Sequence, residues 1–469
     1  MNDEGPVRGR RVAVLGLGRS GRAAARLALA RGAASVYASD TGRTAALEQA
    51  REELEALGAE VELGRHDPAR LAVADLAVIS PGIALEATPL AELPGARVIG
   101  ELELAYRYLA TPVAAVTGTN GKTTTTALLQ AMCERAGLRS RAAGNIGRAL
   151  SEVVLAGEPL DVVVCEVSSF QLSWIDRFRP RVAVLTNFAP DHLDRYPDLA
   201  AYRADKEAVA RNQTAEDALV LNADDPGSRG FAAGARASRH AFTTGAPREA
   251  GLGVARGMLV RRDAEGRERP VAPAEAVRLR GPHNLQNALA ASLAALLLDV
   301  PPGPIEAALR AFPGVPNRLE EVGRVDGVTF VNDSKATNVD ATVWALRSFD
   351  TPLHLILGGR HKGSPYAPLL AEMHGNVKQV LALGEARERI VAELGRDVPV
   401  TSVGSLEEAV HRAFRTAEGG DTVLLSPACS SYDMFRDFEE RGEAFRRAVG
   451  SLRGSPSFAR RPRAGRGRR

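Results

Sequence analysis

The stretch AAVTGTNGKTTTT, Ala114 to Thr126, runs from an apolar strand through a glycine loop into the first turn of a helix. It constrains the fold more tightly than any other segment, because a loop of this kind works at the carboxyl end of a strand in a parallel, helix-covered sheet. Gly118 and Gly121 let backbone N–H groups converge on phosphate oxygens, Lys122 reaches the β- and γ-phosphates, and the Thr123 hydroxyl can ligate Mg²⁺. A full-length phosphate loop would carry its first glycine at position 116, where Val116 stands, so this is a shortened G-x-x-G-K-T form. ATP is the expected ligand, held along Gly118, Thr119, Asn120, Gly121, Lys122, Thr123 and Thr124.

A second glycine loop lies about a hundred residues earlier, in VAVLGLGRSG from Val12 to Gly21. Gly16, Gly18 and Gly21 follow a strand and open a helix, and Asp40 ends the next strand. That pattern suits any ligand bearing a diphosphate. It fits a dinucleotide cofactor with Asp40 on a ribose, a nucleoside-diphosphate substrate, or a purely structural tight turn. The dinucleotide reading requires a hydride-transfer partner elsewhere, and the sequence offers none.

Around these loops the chain alternates apolar strands with helix-period segments. RVAVLGLG, SVYASD, LAVIS and ARVIG form a first βαβ series; PVAAVTG, DVVVCEVSS, RVAVLTN and DALVLNADD form a second, followed by a β-rich stretch from His240 to Leu279 and the helix NLQNALAASLAALLLD. FPGVPNRLEEV reads as a Pro/Gly hinge, beyond which VTFVND, LHLILGG, KQVLALG, VPVTSVG and TVLLSPA make a third series. The expectation is an α/β protein of three domains. Residues 1–109 form a Rossmann-like domain, 110–312 a central ATPase-type domain with a mostly parallel sheet, and 313–453 a Rossmann-like C-terminal domain. A basic, disordered tail occupies 454–469. The 469-residue length suits that count.

Charge adds one point. The net charge of +3 includes six arginines in the tail, so the rest of the chain stands at −3, close to neutral, and no nucleic-acid partner is expected. No apolar run reaches the length of a membrane span, and MNDEGPVRGRR lacks a signal-peptide core. Cys133, Cys165 and Cys429 have neither paired nor metal-like spacing. A cytoplasmic enzyme is the expectation.

Several strand ends carry chemistry. Glu166 closes a buried strand in VCEVSSFQL, where a carboxylate needs a compensating charge such as Mg²⁺. Asp191, His192 and Asp194 follow the next strand in LTNFAPDHLDRY. NDSKATN (332–338) and LGGRHKG (357–363) offer Lys335 and Lys362 at strand-end loops, where ligand-facing lysines concentrate.

Together TGTNGKTT, E-x-SSFQL, DHLDR, HNLQN, NRLE and NDSKATN make the chain resemble the Mur ligases of bacterial peptidoglycan synthesis, over nearly its whole length up to about residue 450. SPGIAL, AGNIG and LLSPACSSYDMFRDFEERGEAF are similar to the branch that adds D-glutamate. The resemblance implies a monomer acting on UDP-N-acetylmuramoyl-L-alanine, D-glutamate and ATP, with one or two Mg²⁺ ions.

It further implies that Gly18, Arg19, Ser20, Asp40, Thr41 and Ser80 line the UDP site, with Asn145 nearer the sugar end. Asn287 would meet the adenine, Asp333 the ribose hydroxyls, and Arg318 would add a cation near the nucleotide. Thr123, Glu166, His192 and Lys206 would place the metal, Lys206 as a carbamate formed with CO₂. The alternative for Lys206 is a helix-face lysine paired with an acid. Lys335, Thr337, Lys362, Ser431 and Phe438 would hold D-glutamate. Lys122, His192, Lys206 and Lys362 would form the catalytic set, and domain closure would join the nucleotide groups of the second and third domains. Asn317 departs from the family, which commonly reads His-Arg where this chain has Asn-Arg. Three rival readings remain at this stage: a sister ligase of the folylpolyglutamate kind, a non-catalytic UDP-sugar-binding module, and an NAD-dependent oxidoreductase.

Overall fold

The computed structural model describes residues 5–93, 97–192, 195–279, 281–373 and 375–452. The arginine-rich tail and Asp194 lie outside the described residues. Three sheets follow one another along the chain.

The first comprises β1 (Arg11–Leu15), β2 (Ser35–Asp40), β3 (Glu60–Leu63), β4 (Leu76–Ile79) and β5 (Val98–Gly100), all parallel, in the order β3-β2-β1-β4-β5. β1 is buried from Val12 to Leu15, as expected of a central strand covered on both faces. The helix Arg19–Ala30 buries Gly21, Ala23, Ala24, Ala25, Leu27 and Ala28, and this small-residue face lets it lie close to the sheet.

The second sheet comprises β6 (Val113–Thr117), β7 (Ser140–Gly144), β8 (Val162–Glu166), β9 (Val182–Leu185), β10 (Ala218–Asn222), β11 (Ser238–Phe242), β12 (Gly251–Ala255), β13 (Met258–Arg262) and β14 (Glu268–Pro273). Its order is β14-β13-β12-β11-β10-β9-β6-β8-β7, parallel from β7 to β12 and antiparallel through β13 and β14. β6 lies between β8 and β9, so the glycine loop that follows it leaves the sheet at a switch in strand order, where open α/β sheets bind ligands.

The third sheet comprises β15 (Glu320–Val325), β16 (Val328–Asn332), β17 (Leu353–Gly358), β18 (Val377–Leu383), β19 (Val400–Ser402) and β20 (Thr422–Leu425), in the order β15-β16-β20-β17-β18-β19. Only β15 runs antiparallel. β20 sits between β16 and β17, so the loops leaving these three strands are neighbours.

Packing divides the chain into two compact units. The first holds the chain up to Phe188, Asp198–Arg278 and Gln286–Phe312; the second holds Ala189–Pro197, Leu279–Leu285 and the chain from Pro313 on. Two buried acids tie the first and second sheets together within the first unit. Glu103 accepts the backbone N–H groups of Asp176, Arg177 and Phe178 at 2.9–3.0 Å and pairs with Arg107, while Glu101 accepts the N–H of Ser151 at 2.6 Å.

The strands expected from sequence are present. Three further strands are β3, β7 and β15, of which β15 includes the end of the segment read as a hinge. Each is an outermost strand, and the charges in EVEL and EEVGRV and the small residues in SRAAG obscure the apolar signal a central strand would give.

Candidate active site

The first glycine loop is shaped by its own neighbours. Gly16 has φ +84° and lies against Ser80 and Ile83, and a Cβ on Gly21 would collide with the Gly16 carbonyl, so both positions require glycine. Asp40 accepts from Leu17 N–H and from Gly42 N–H, both at 2.8 Å, and Ser80 Oγ donates to the Gly16 carbonyl at 2.9 Å. Asp40 and Ser80 therefore hold the loop in form. Gly18 caps the helix with extended backbone, and Arg19 and Ser20 are its first residues. Thr41 is exposed just past β2.

From this loop a chain of contacts leads to the second sheet. Arg19 donates to the Asn145 carbonyl at 3.2 Å, and the Asn145 amide donates to Glu166 Oε1 at 2.8 Å. Glu166 ends β8 with 1 % of its surface exposed. Its strand pairs with β6, which feeds the second glycine loop.

That loop is equally specific. Gly118 and Gly121 have φ +140° and +83°, and added Cβ atoms would collide with Thr186 and Asn287 respectively. Asn187 braces the loop, its carbonyl accepting from Thr119 N–H at 3.0 Å and its side chain from Asn120 N–H at 2.9 Å. Lys122 Nζ donates to the carbonyls of Gly118 and Thr119, each at 2.9 Å. Thr123 and Thr124 are buried at the start of the Lys122–Arg135 helix. Asn287, expected at the adenine, packs its amide on Gly121 and accepts from Thr125 Oγ1 at 3.4 Å.

Lys206 is 1 % exposed and donates to the Gly118 carbonyl at 2.8 Å, with its ammonium 4.7 Å from the Tyr202 ring centroid. It therefore belongs to the lining of the phosphate loop and not to a solvated helix face. Among the described residues no three His, Cys, Asp or Glu side chains form a metal cage. The first unit instead presents a hydroxyl (Thr123) and a buried carboxylate (Glu166), hard oxygen donors that fit a Mg²⁺ ion held largely by nucleotide phosphates.

The second unit contains its own cluster. Asp191, His192, Asn338, His361, Lys362 and Ser364 line one narrow cavity. Asn338 caps the Val339–Leu346 helix and donates to Asp191 Oδ2 at 3.0 Å, and the N–H of His192, itself at φ +55°, bonds Asp191 Oδ1 at 2.9 Å. Burial alone would raise the Asp191 carboxyl; the charges of His192 and Lys362 and these hydrogen bonds outweigh it and hold it below its ordinary value.

Nearby loops carry the other expected residues. Asp333 is buried, accepting from Leu319 N–H at 3.2 Å and Ser426 Oγ at 2.9 Å. Burial pushes its carboxyl up to about 7, against the pull of Arg318. Lys335 lies 4.9 Å from the Phe438 ring centroid, and Thr337 N–H bonds the Lys335 carbonyl at 3.0 Å. Ser431 is buried in the loop after β20, which pairs with the Lys362 loop through reciprocal Arg360–Ser430 backbone hydrogen bonds of 2.9 and 3.2 Å.

Asn317 takes φ +63°, a conformation asparagine tolerates well. Its side chain accepts from Asn332 at 2.8 Å and Arg446 at 3.1 Å, and its carbonyl accepts from Lys335 N–H. Asn187, Asn338 and His361 escaped the sequence reading. All three sit inside motifs already singled out, Asn187 in LTNFAPDHLDRY, Asn338 in NDSKATN and His361 in LGGRHKG.

Three family models match: "Mur ligase MurD-like, N-terminal domain" over residues 10–100, "Mur ligase middle domain" over 116–295 and "Mur ligase, glutamate ligase domain" over 317–429. The UDP-N-acetylmuramoylalanine–D-glutamate ligase of Anaeromyxobacter dehalogenans is 47% identical, covering 94% of this chain and 97% of its own. That of Salinibacter ruber is 44% identical over 95% and 99%. Among solved structures, a pseudomurein peptide ligase type C from Methanothermus fervidus shares the fold, with a TM-score of 0.59, 20% identity and coverage of 94% and 100%. The chain belongs to the Mur ligase family.

Proposed function

We propose that this chain joins D-glutamate to the L-alanine carboxylate of UDP-N-acetylmuramoyl-L-alanine at the expense of ATP, as a cytoplasmic step in peptidoglycan precursor synthesis. The observation that carries the reading is 44–47% identity, across almost the full length of both chains, to ligases named for that substrate and amino acid.

A carboxylate is a poor acyl donor because oxide is a poor leaving group. The alanine carboxylate oxygen attacks the γ-phosphorus of ATP, the bond to the β-phosphate oxygen breaks, and an acyl phosphate and ADP result. The D-glutamate amine then attacks the acyl carbon, loses a proton, and phosphate leaves with the electrons of the C–O bond. Lys122 and the loop N–H groups of Gly118–Thr124 steady the charge on the transferring phosphoryl group, and Lys362 offsets the oxyanion. A Mg²⁺ ion would be held by Thr123 and Glu166, with Lys206 as its carbamate and His192 as the further ligands the family resemblance implies, and would supply Lewis-acid charge stabilisation.

In this reading Gly18, Arg19, Ser20 and Thr41 contact the UDP moiety, with Asp40 and Ser80 fixing the loop and Asn145 toward the sugar. Arg318 and Asp333 serve the nucleotide. Lys335, Thr337, Lys362, Ser431 and Phe438 receive D-glutamate, whose two carboxylates call for cations and hydroxyl donors.

The test is phosphate release with ATP, Mg²⁺ and UDP-N-acetylmuramoyl-L-alanine, across a panel of D- and L-amino acids. D-glutamate should be the preferred acceptor by at least tenfold over L-glutamate. Preference for another amino acid, or no ADP formation with any, overturns the assignment.

A further inference from the structure

Arg441 is the bulkiest of the fully buried side chains, at 2 % exposure, and sits in the first turn of the Phe438–Leu452 helix. Among the described residues no carboxylate pairs with it. Its guanidinium instead makes three directed bonds: Nη2 to the Ser334 carbonyl at 2.7 Å, Nε to Ser334 Oγ at 3.0 Å, and Nη1 to the Cys429 carbonyl at 3.1 Å. Ser334 Oγ passes its own hydrogen to the Phe438 carbonyl at 2.8 Å. A Cβ on Gly359 would approach Arg441 Nη1 to 3.2 Å and collide with the Ser430 carbonyl, so the loop after β17 packs against the same group.

Burying a cation whose direct partners are neutral is costly, and the fold retains this one, with Asp433 and Asp333 acting on it only through their charges, where three ligand-side loops meet. Ser334 precedes Lys335 and lies three residues before Thr337; Cys429 lies two before Ser431; Phe438 is one helical turn from Arg441. Burial lowers the guanidinium only to about 10, so it stays charged at neutral pH, and a planar fork of donors suits carbonyls approaching from different loops.

We propose that Arg441 is the positioning residue of the D-glutamate pocket. Through Ser334 and Cys429 it fixes the spacing between the Lys335–Thr337 turn, the Ser431 loop and Phe438. The proposal rests on the function given above. Asp333, one residue before Ser334, takes its hydrogen bonds from Leu319 N–H and Ser426 Oγ and feels Arg441 only through its charge, so the nucleotide side should be largely spared, most fully in Arg441→Lys, which keeps that charge.

The experiment is steady-state phosphate release by Arg441→Lys and Arg441→Met, with KM determined separately for D-glutamate, ATP and the UDP substrate. The KM for D-glutamate should rise at least tenfold in Arg441→Met and less in Arg441→Lys, while the other two constants stay within about threefold. Equal changes in all three constants, or an unchanged KM for D-glutamate, overturn the proposal. If both variants fail to fold, Ser334→Ala, which removes only the hydroxyl link, decides: a selective rise of twofold or more in the D-glutamate KM supports the proposal, and none refutes it. Wild-type protein that uses no D-glutamate refutes the function itself, a result separable from any variant's behaviour.

Discussion

Asp333 gives the fold a calculable dependence on pH. Its carboxyl stands near 7 in the folded chain against 3.8 for an ordinary aspartate, because it is buried and Arg318, Ser426 and the Leu319 N–H only partly compensate. Between those values the folded state holds more protons than the unfolded one, so stability falls as pH rises. The stabilisation is complete below about 3.8 and is lost as pH climbs through 7. Three pKa units correspond to about 4 kcal/mol in all, of which about 2.5 kcal/mol falls between pH 5 and 8. Asp333→Asn removes the titration while keeping the geometry: the amide oxygen still accepts from Leu319 N–H, and the amide nitrogen can donate to Ser426 Oγ, whose hydrogen can turn to Thr342 Oγ1 at 3.1 Å. With Trp174 replaced by phenylalanine, Trp344 is the sole tryptophan and reports on the second unit. Urea unfolding followed by its fluorescence should show the parent losing about 2.5 kcal/mol relative to Asp333→Asn between pH 5 and 8. Parallel pH profiles for the two proteins would refute the reasoning.

Lys122→Ala should abolish phosphate release and leave binding of the UDP substrate measurable by calorimetry; loss of both would indicate misfolding instead. Lys206→Ala should lose activity and regain part of it with added short carboxylates, since the proposed carbamate supplies only an oxygen ligand; absence of rescue at any concentration argues against the carbamate. Gly118→Ala should abolish ATP binding and lower the melting temperature by several degrees, because its φ of +140° and the adjacent Thr186 side chain leave no room for a methyl group. Glu103→Gln should destabilise the first unit by about 2–3 kcal/mol in urea titrations, the scale of weakening a buried charged acceptor of several hydrogen bonds.

Central strands and loop glycines were legible in the sequence because burial on both faces demands continuous apolar residues, and positive φ beside close neighbours, as at Gly16 and Gly118, demands glycine. Lys206 and Arg441 were less so. Both are long cations on helices, where sequence spacing favours a solvent-exposed face, yet each is at most 2 % exposed. What buries them is tertiary: the Gly118 carbonyl for one, and the Ser334 and Cys429 carbonyls for the other. Carbonyl partners leave no trace in a sequence, since every residue has one. The same reason hid Asp40's contacts, which run to backbone N–H groups.

The two glycine loops raise a physical difficulty, because each attracts phosphate and nothing in either motif prevents it from taking the other's ligand. Their surroundings differ in the way that resolves it. The first loop is closed by Asp40, whose oxygens accept from Leu17 and Gly42 N–H, so a carboxylate and no lysine stands beside any phosphate held there. The second carries Lys122, whose ammonium donates to the carbonyls of Gly118 and Thr119, and a cation there favours the more highly charged triphosphate. The Arg19–Asn145–Glu166 chain connects the two environments in one compact unit. In the proposed function, discrimination between the nucleotides rests on charge beyond the glycines, and removing Lys122 should cost affinity for ATP far more than for the uridylyl substrate.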